Sequence, residues 1–398
     1  MMRIFPVATF TPNPENAGAI CCTTQAPDLA ELARHPDSYL RVVKPQFLEP
    51  GLRPGTDEFL HASIENFNEL VRRNVMQIQE PAFWFYKQTL PDGTEFSGWI
   101  VGVSALDYEE GKIKKHENTI KDKETRLAKH IGLLKSVAEP VLLATSLPNE
   151  LKSLGPEIQS MAASFAFTDV LGRKHEVWKI VDAGMMDSIR NSFTGIEALY
   201  IADGHHRTAA SSLYVREAGL DPEMNGVMAF VMDKNSLSVK SFHRLITVQA
   251  PAWKLEETCR IKGWKVERLK EKSGRIVAGT ILAHSADGTY LIRPEHTSQQ
   301  LDEAASLDVA RLETEIFPAL FGIENSRVDS RISFLRGDTK PEVLDEMLNA
   351  GKVGWIFEVA PNTMEQIEKV ADAGLVMPPK STWVEPKLMT GMMVMRYP

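Results

Sequence analysis

Three cysteines in 398 residues are too few to staple a fold. Cys21 and Cys22 are chain neighbours and Cys259 stands far away, so neither a disulfide framework nor a spaced metal pattern is present. A reducing compartment is the expectation. No run of about 18 apolar residues occurs, which excludes a membrane-spanning helix. Arg3 is the only basic residue before Pro6 and no long apolar run accompanies it, which argues against a secretory signal. Also missing are the G-x-x-x-x-G-K-S/T and G-x-G-x-x-G phosphate loops, the G-x-S-x-G nucleophile elbow and the helical H-E-x-x-H zinc pair. Their absence removes the common phosphate and nucleophile frameworks and leaves rarer ones open. Repeats, low-complexity tracts and heptads are absent as well. A cationic surplus is lacking: 45 Lys and Arg stand against 53 Asp and Glu, for a formal charge of −8. That balance opposes salt-driven binding to nucleic acid.

What is present is an ordinary globular composition, 43% hydrophobic and 25% charged. A chain of this length buries a core without staples. A cytoplasmic, mixed α/β protein is expected. The prolines between Pro6 and Pro54 suggest irregular or edge structure around a short helix near Asp28–Arg34. Ile64, Phe67, Val71, Val75 and Ile78 recur at helical spacing and predict a helix over 63–79, stopped by Pro81. Phe83–Tyr86, a Pro91–Thr94 turn and Gly98–Val103 predict a hairpin. Ile120, Leu127, Ile131 and Leu134 mark a helix running to about Val137, followed by a strand at 140–144. Residues 198–232 have a strand–helix–strand rhythm, with Gly219 as the helix stop. Beyond Arg244, strands are expected at 276–283, 290–293, 332–335 and 355–359, with a helix over 307–317. The organisation expected is residues 1–250 as a core region and residues 251–398 as a smaller mixed α/β region, the break falling near 245–255.

The segment with the clearest chemistry is Asp203-Gly204-His205-His206-Arg207. An apolar strand ends at Asp203-Gly204 and a helix opens at His205. Helix starts expose unpaired N–H groups and partial positive charge. Three side chains able to carry positive charge are misplaced there, each at a cost of about 0.3–1 kcal/mol when charged. A bound phosphate or carboxylate reverses that sign, and Gly204 allows close backbone approach. The competing reading has neutral histidines and an Arg207 paired with an internal acid. Asp203, His205 and His206 are also metal-ligand types, but neighbours on one turn seldom converge on one ion. No protein metal site is expected, while Mg²⁺ arriving with a nucleotide is.

Other clusters carry both a functional and a plain reading. Lys114-Lys115-His116-Glu117 is either part of the site or a solvated charged face. His243-Arg244 is either a second His–Arg pair for the site or a surface turn. Lys380-Ser381-Thr382 follows Pro378-Pro379, which predicts a held loop able to bind phosphate. Convergence of His116, Glu117, His243, Arg244 and Lys380 on the Asp203–Arg207 turn is expected.

Tyr200–Arg207, Leu106–Glu117 and Met377–Thr382, with Pro386-Lys387-Leu388, together resemble the bacterial "domain of unknown function 1015" family over nearly the whole chain. More distantly, the Gly204–Arg207 turn is similar to the phosphate-binding element of the ParB/sulfiredoxin-like superfamily, which includes kinases of free serine. That similarity implies a ParB/sulfiredoxin-like core, in which Gly204, His205, His206 and Arg207 hold nucleotide phosphates. One departure stands out: near Cys21-Cys22-Thr23 the family pattern has a Pro-Tyr-Asp turn that this chain lacks.

The leading expectation is a phosphotransferase using ATP or ADP with Mg²⁺ on a small hydroxylated metabolite, free serine first. Asp203, Glu117, His116 and His205 are the candidate catalytic residues, with Asp203 or Glu117 as base. Gly204, His205, His206, Arg207, His243, Arg244, Lys380 and Ser381 are candidates for binding the nucleotide. The alternative is a nucleotide-binding regulatory switch without turnover. Partition activity on DNA fits poorly with the acidic charge and the lack of a helix-turn-helix. Sulfiredoxin chemistry would want a cysteine in the turn.

Overall fold

The computed structural model describes residues 1–23, 25–26, 28–270, 276–295 and 301–398. The chain divides at Leu237/Ser238, where the sequence reading placed the break near 250. One unit comprises Met1–Leu237 together with Pro386–Pro398, and the other Ser238–Glu385. The closing segment after Glu385 therefore returns to the first unit.

The first unit is built on a large mixed sheet with helices, an α/β architecture. Along its main path the strands are ordered Ile113–Lys114, Leu199–Asp203, Val141–Thr145, Gly226–Asp233, Glu95–Ser104, Met76–Thr89, Val7–Pro12, Val394–Arg396 and Ser136–Val137. Val141–Thr145 is buried at every position, as a nearly continuous apolar run inside a sheet should be. It runs parallel to Gly226–Asp233 and antiparallel to Leu199–Asp203. The strand–helix–strand rhythm of 198–232 is thus present, but its two strands run in opposite directions with Val141–Thr145 between them. Around these strands Val101, Leu143, Phe193, Leu199, Ile201 and Val231 form the core.

Two expectations are corrected. The helix read at 63–79 spans Asp57–Arg72. Thr56 caps it by accepting from the Phe59 N–H at 3.3 Å. Left-handed Asn74 (φ 57°) follows its end, so Val75 precedes and Ile78 lies within the strand Met76–Thr89. Val7–Pro12 is an inner strand rather than edge structure: Pro6 and Pro12 sit at its ends, where a missing N–H disrupts least. Elsewhere, Leu29–Arg34, the Leu90–Thr94 turn and the Lys121–Leu134 helix match the reading. The last of these stops short of Val137 because Lys135 turns left-handed (φ 47°).

The second unit carries a six-stranded sheet in the order Trp264–Leu269, Gly288–Pro294, Ile281–Ser285, Trp355–Val359, Phe242–Ile246 and Ile332–Arg336. Ser238–Lys240 pairs separately with Trp383–Glu385. The expected helix over 307–317 is α-helical at Asp308–Arg311 and Phe317–Phe321 and widens into a π turn at Leu312–Ile316. Pro318, which has no N–H to give the preceding turn, accounts for the change of bonding there. Among the described residues no helix is long and apolar enough to cross a membrane.

Candidate functional site

The strand Leu199–Asp203 delivers the turn and the helix His205–Glu217 carries it away. Gly204 joins them at φ 103°, a conformation that side chains resist. A Cβ there would lie 2.7 Å from Val141 Cγ1 and 3.2 Å from Arg207 Nη2. The helix buries Thr208, Ala209, Ala210, Ser211, Ser212 and Val215, small residues over most of its surface that let it pack against the Lys121–Leu134 helix. Its N-terminus is therefore held firmly at the end of the sheet.

The three basic side chains of this first turn do not act alike. His205 is buried, its ring edge-to-face with His116 at 4.5 Å. Its Nε2 accepts from the His116 backbone N–H at 3.5 Å, and its Nδ1 stands 3.9 Å from Glu117 Oε2. Burial, with His116, His206 and Lys115 nearby, pushes the His205 pKa well below the ordinary histidine value. Burial likewise lowers His116 to about 4. Both rings are neutral at pH 7. His206 Nε2 accepts from the Ile120 N–H at 3.2 Å.

Arg207 is paired. Its Nη1 lies 2.5 Å from Glu139 Oε1 and donates to the Pro140 carbonyl at 3.0 Å, while Nη2 lies 3.4 Å from Asp203 Oδ2. Burial opposes the Arg207 charge, but Glu139 and Asp203 outweigh it and hold the pKa above the ordinary arginine value. The local misfit expected at this helix start is therefore relieved inside the protein, by burial of the histidine and pairing of the arginine. Asp203 also faces Lys387 Nζ at 3.4 Å, and Glu139 accepts from Thr390 Oγ1 at 2.8 Å. Thr390 is in turn bridged to Cys22 through reciprocal backbone hydrogen bonds. The segment near Cys22, where the Pro-Tyr-Asp turn is lacking, is thus three contacts from Arg207.

Arg207 also lines a cavity of about 440 Å³. Its apolar walls include Tyr39, Phe59, Leu60, Leu127, Ile131 and Leu134. Lys44, Lys123 and Arg126 join Arg207 as cations in the lining, against the acid Glu139.

Of the residues singled out in the sequence, His116 and Glu117 meet the Asp203–Arg207 turn. His243, Arg244, Lys380 and Ser381 belong to the second unit. His243 and Arg244 are not on a surface turn: they sit inside the strand Phe242–Ile246, both buried. The Arg244 guanidinium donates to Glu313 Oε1 (3.3 Å), the Phe242 carbonyl (2.7 Å) and the Lys380 carbonyl (3.2 Å). It is a tie within that unit. Glu358 stands between two imidazoles, 3.6 Å from His243 Nδ1 and 2.8 Å from His284 Nε2. Ser381 Oγ donates to the Pro378 carbonyl at 2.7 Å, which holds the loop as the prolines suggested.

Sequence reading missed Glu139, Lys387 and Thr390, whose partners lie far along the chain. It also missed a buried network beside them. Asp169 accepts from Arg173 Nε at 2.7 Å and faces His175 Nε2 at 3.3 Å; Tyr86 Oη is 2.8 Å from His175 Nδ1. Burial would raise Asp169, yet His175 and Arg173 hold it well below the carboxylate range. Gln88 links the network to the site by donating to both Tyr86 Oη and the Lys387 carbonyl. The Asp169–Arg173 turn, with Gly172 inside it, was the available local signal. Among the described residues no group of three or more His, Cys, Asp or Glu side chains is arranged to hold a metal ion.

Residues 23–310 match the family model described as "Protein of unknown function (DUF1015)". No curated protein matches the sequence. Among solved structures, the chain is similar to a free serine kinase in complex with AMP: 14% identity, 73% of this chain and 90% of that chain covered, TM-score 0.38. It is similar also to a conserved hypothetical protein from Pyrococcus furiosus (14% identity, 73% and 94% covered, TM-score 0.36). A third is SbnI with C-terminal truncation from Staphylococcus aureus (13% identity, 72% and 82% covered, TM-score 0.38).

Proposed function

The chain belongs to the DUF1015 family, whose description assigns no activity, and from its own geometry we propose a nucleotide-dependent phosphotransferase acting on a small hydroxylated metabolite, with free serine the first acceptor to test. One observation carries this reading. Arg207 belongs at once to the first turn of the His205–Glu217 helix and to the wall of a cavity whose lining has a cationic surplus. The helix start supplies N–H groups and partial positive charge for phosphate oxygens. Arg207 adds a bidentate donor by exchanging one carboxylate partner for phosphate.

Phosphoryl transfer asks the protein for positioning, charge neutralisation and a proton acceptor. The Glu117 carboxylate can take the acceptor's hydroxyl proton, and the neutral His205 ring, whose Nε2 accepts from the His116 N–H, stands 3.9 Å from it. Asp203 sits at the strand end between Lys387 and Arg207. Mg²⁺ is ordinarily held by one or two carboxylates together with substrate oxygens, and Asp203 suits that part once phosphates are bound. The ParB/sulfiredoxin-like resemblance of the turn supports the same assignment of Gly204–Arg207 to phosphate. The test is phosphorus NMR of the full chain with ATP, Mg²⁺ and a mixed pool of hydroxylated metabolites including serine. A new phosphomonoester signal with loss of the γ-phosphate is expected; bound nucleotide without any transfer refutes turnover.

A second reading is favoured by the Arg207–Glu139–Thr390–Cys22 chain of contacts. A phosphate that draws Arg207 from Glu139 would loosen the tie to the closing segment, so that binding alone reports nucleotide as a switch. Binding without transfer, accompanied by altered protease sensitivity at 386–398, would establish it.

A further inference from the structure

Lys387 stands at the Asp203–Arg207 turn although it comes from the far end of the chain. Its Nζ lies 3.4 Å from Asp203 Oδ1, while Arg207 Nη2 lies 3.4 Å from Asp203 Oδ2. Each contact is longer than the roughly 2.7–2.9 Å of a tight charge-assisted hydrogen bond. The Asp203 carboxylate is therefore shared between two cations rather than locked to one, and its side chain is 41% exposed. An ion pair this open to water contributes little to stability. A phosphate, with about two charges and three acceptor oxygens, is the stronger partner for both cations.

What fixes Lys387 beside the turn is a set of buried contacts to the closing segment. Gln88 is fully buried, and its Nε2 donates to the Lys387 carbonyl at 3.2 Å and to Tyr86 Oη at 3.2 Å. Both amide hydrogens are thereby used. Tyr86 Oη, accepting from Gln88, gives its own hydrogen to His175 Nδ1 at 2.8 Å. The His175 proton is then on Nε2, 3.3 Å from Asp169 Oδ2, and Asp169 is held in turn by Arg173. Arg173 also reaches Met389 Sδ at 3.5 Å, and Thr390 is bridged to Cys22. Residues 387, 389 and 390 are thus each tied to a different part of the first unit. Lysine is a point charge on a flexible four-carbon stem, so its aim depends on where its backbone is fixed.

We propose that Lys387 is a second phosphate-binding residue of this site and that Gln88 is the residue that positions it. The inference rests on the phosphate reading of the Asp203–Arg207 turn. With phosphate bound, each cation exchanges its Asp203 oxygen for an oxygen of the ligand. Arg207 then acts as a two-pronged donor and Lys387 as a compact charge. Gln88 touches no ligand and acts through the Lys387 carbonyl.

The test is isothermal titration of ADP with Mg²⁺ into the full chain. Proteins to compare are wild type, Lys387→Met, Lys387→Arg, Gln88→Met, the Lys387→Met/Gln88→Met double variant and Arg207→Ala. Lys387→Met, which keeps the stem, should weaken ADP about tenfold, and Lys387→Arg should recover most of that loss. Gln88→Met, which keeps the volume, should weaken ADP about three- to tenfold in the wild-type background. In the Lys387→Met background it should cost less than about twofold, because its effect passes through the lost ammonium. Near-ultraviolet circular dichroism checks that Gln88→Met is folded. Tyr86→Phe, which removes only the hydroxyl that Gln88 donates to, is the milder variant and should show the same dependence on Lys387. Equal losses from Gln88→Met in both backgrounds overturn the positioning role, since a general structural defect ignores the side chain at 387. ADP affinity unchanged in Lys387→Met but reduced in Arg207→Ala overturns the assignment of Lys387 and leaves phosphate binding at the turn intact. Wild-type protein that binds no ADP refutes the phosphate reading and this inference with it.

Discussion

Acidification should weaken the first unit through its buried histidines, and His116 allows the size of the effect to be worked out. In the folded protein its ring is about 1% exposed and its pKa is lowered from 6.5 to about 4 by burial. The unfolded chain therefore takes up a proton before the folded one does. Above pH 6.5 neither state carries the charge, and the contribution to stability is complete. As pH falls from 6.5 towards 4, stability is lost at up to about 1.4 kcal/mol per pH unit for one proton. Over the roughly 2.5-unit gap the loss is about 3 kcal/mol. Lys115 and His206 stand around the neighbouring His205 and oppose its protonation, while Glu117 is the nearby acid. The assay is urea unfolding followed by tryptophan fluorescence between pH 7.5 and 4, comparing wild type with His116→Asn. The difference between the two proteins removes the shared titration of carboxylates, and it should change by about 3 kcal/mol across this window, in the variant's favour at low pH. A difference that stays constant with pH would refute the neutral, buried state of His116.

Other substitutions test separate parts of the site. Gly204→Ala combines left-handed backbone strain of about 1–2 kcal/mol with crowding against Val141 of about 1–3 kcal/mol, so urea unfolding should show a loss of about 2–5 kcal/mol. A loss below 1 kcal/mol would show that the turn relaxes freely. Asp169→Asn removes the carboxylate from a nearly buried pair with Arg173 and should cost about 3–5 kcal/mol of stability, read from the same unfolding curves. Glu117→Gln should lower transfer to the acceptor by about 10²–10⁴ while AMP affinity changes little. Equal losses in affinity and rate would make Glu117 a ligand contact rather than a proton carrier.

The Asp203–Arg207 turn was legible in the sequence because its cause is local. An apolar run, an Asp-Gly break and a helix with a glycine stop lie within about twenty residues. Partners of the turn were not legible. Glu139, Lys387 and Thr390 reach it by sheet pairing and by the return of the closing segment, neither of which leaves a local pattern. The cavity is drawn from 39–60, 123–139, Arg207 and Thr390, and no single stretch announces it. Helical spacing misled at Val75 and Ile78, which keep the period of the preceding helix although Asn74 has already turned the chain. His243-Arg244 read either as a second His–Arg pair for the site or as a surface turn. In the structure the polarity is internal, answered by Glu358 on one residue and Glu313 on the other.

The central claim is that phosphate binds at the start of the His205–Glu217 helix with Arg207 as a ligand. The most direct measurement is isothermal titration of ADP into wild-type protein and into Arg207→Ala, in low and in physiological salt. Wild type should bind, and the variant should lose at least tenfold in affinity, since a charge-assisted bidentate contact contributes about 1.5–3 kcal/mol. The wild-type affinity should also fall as salt rises. Equal ADP affinity in both proteins, with Arg207→Ala still folded, would contradict the account and leave Arg207 as the internal partner of Glu139 and Asp203.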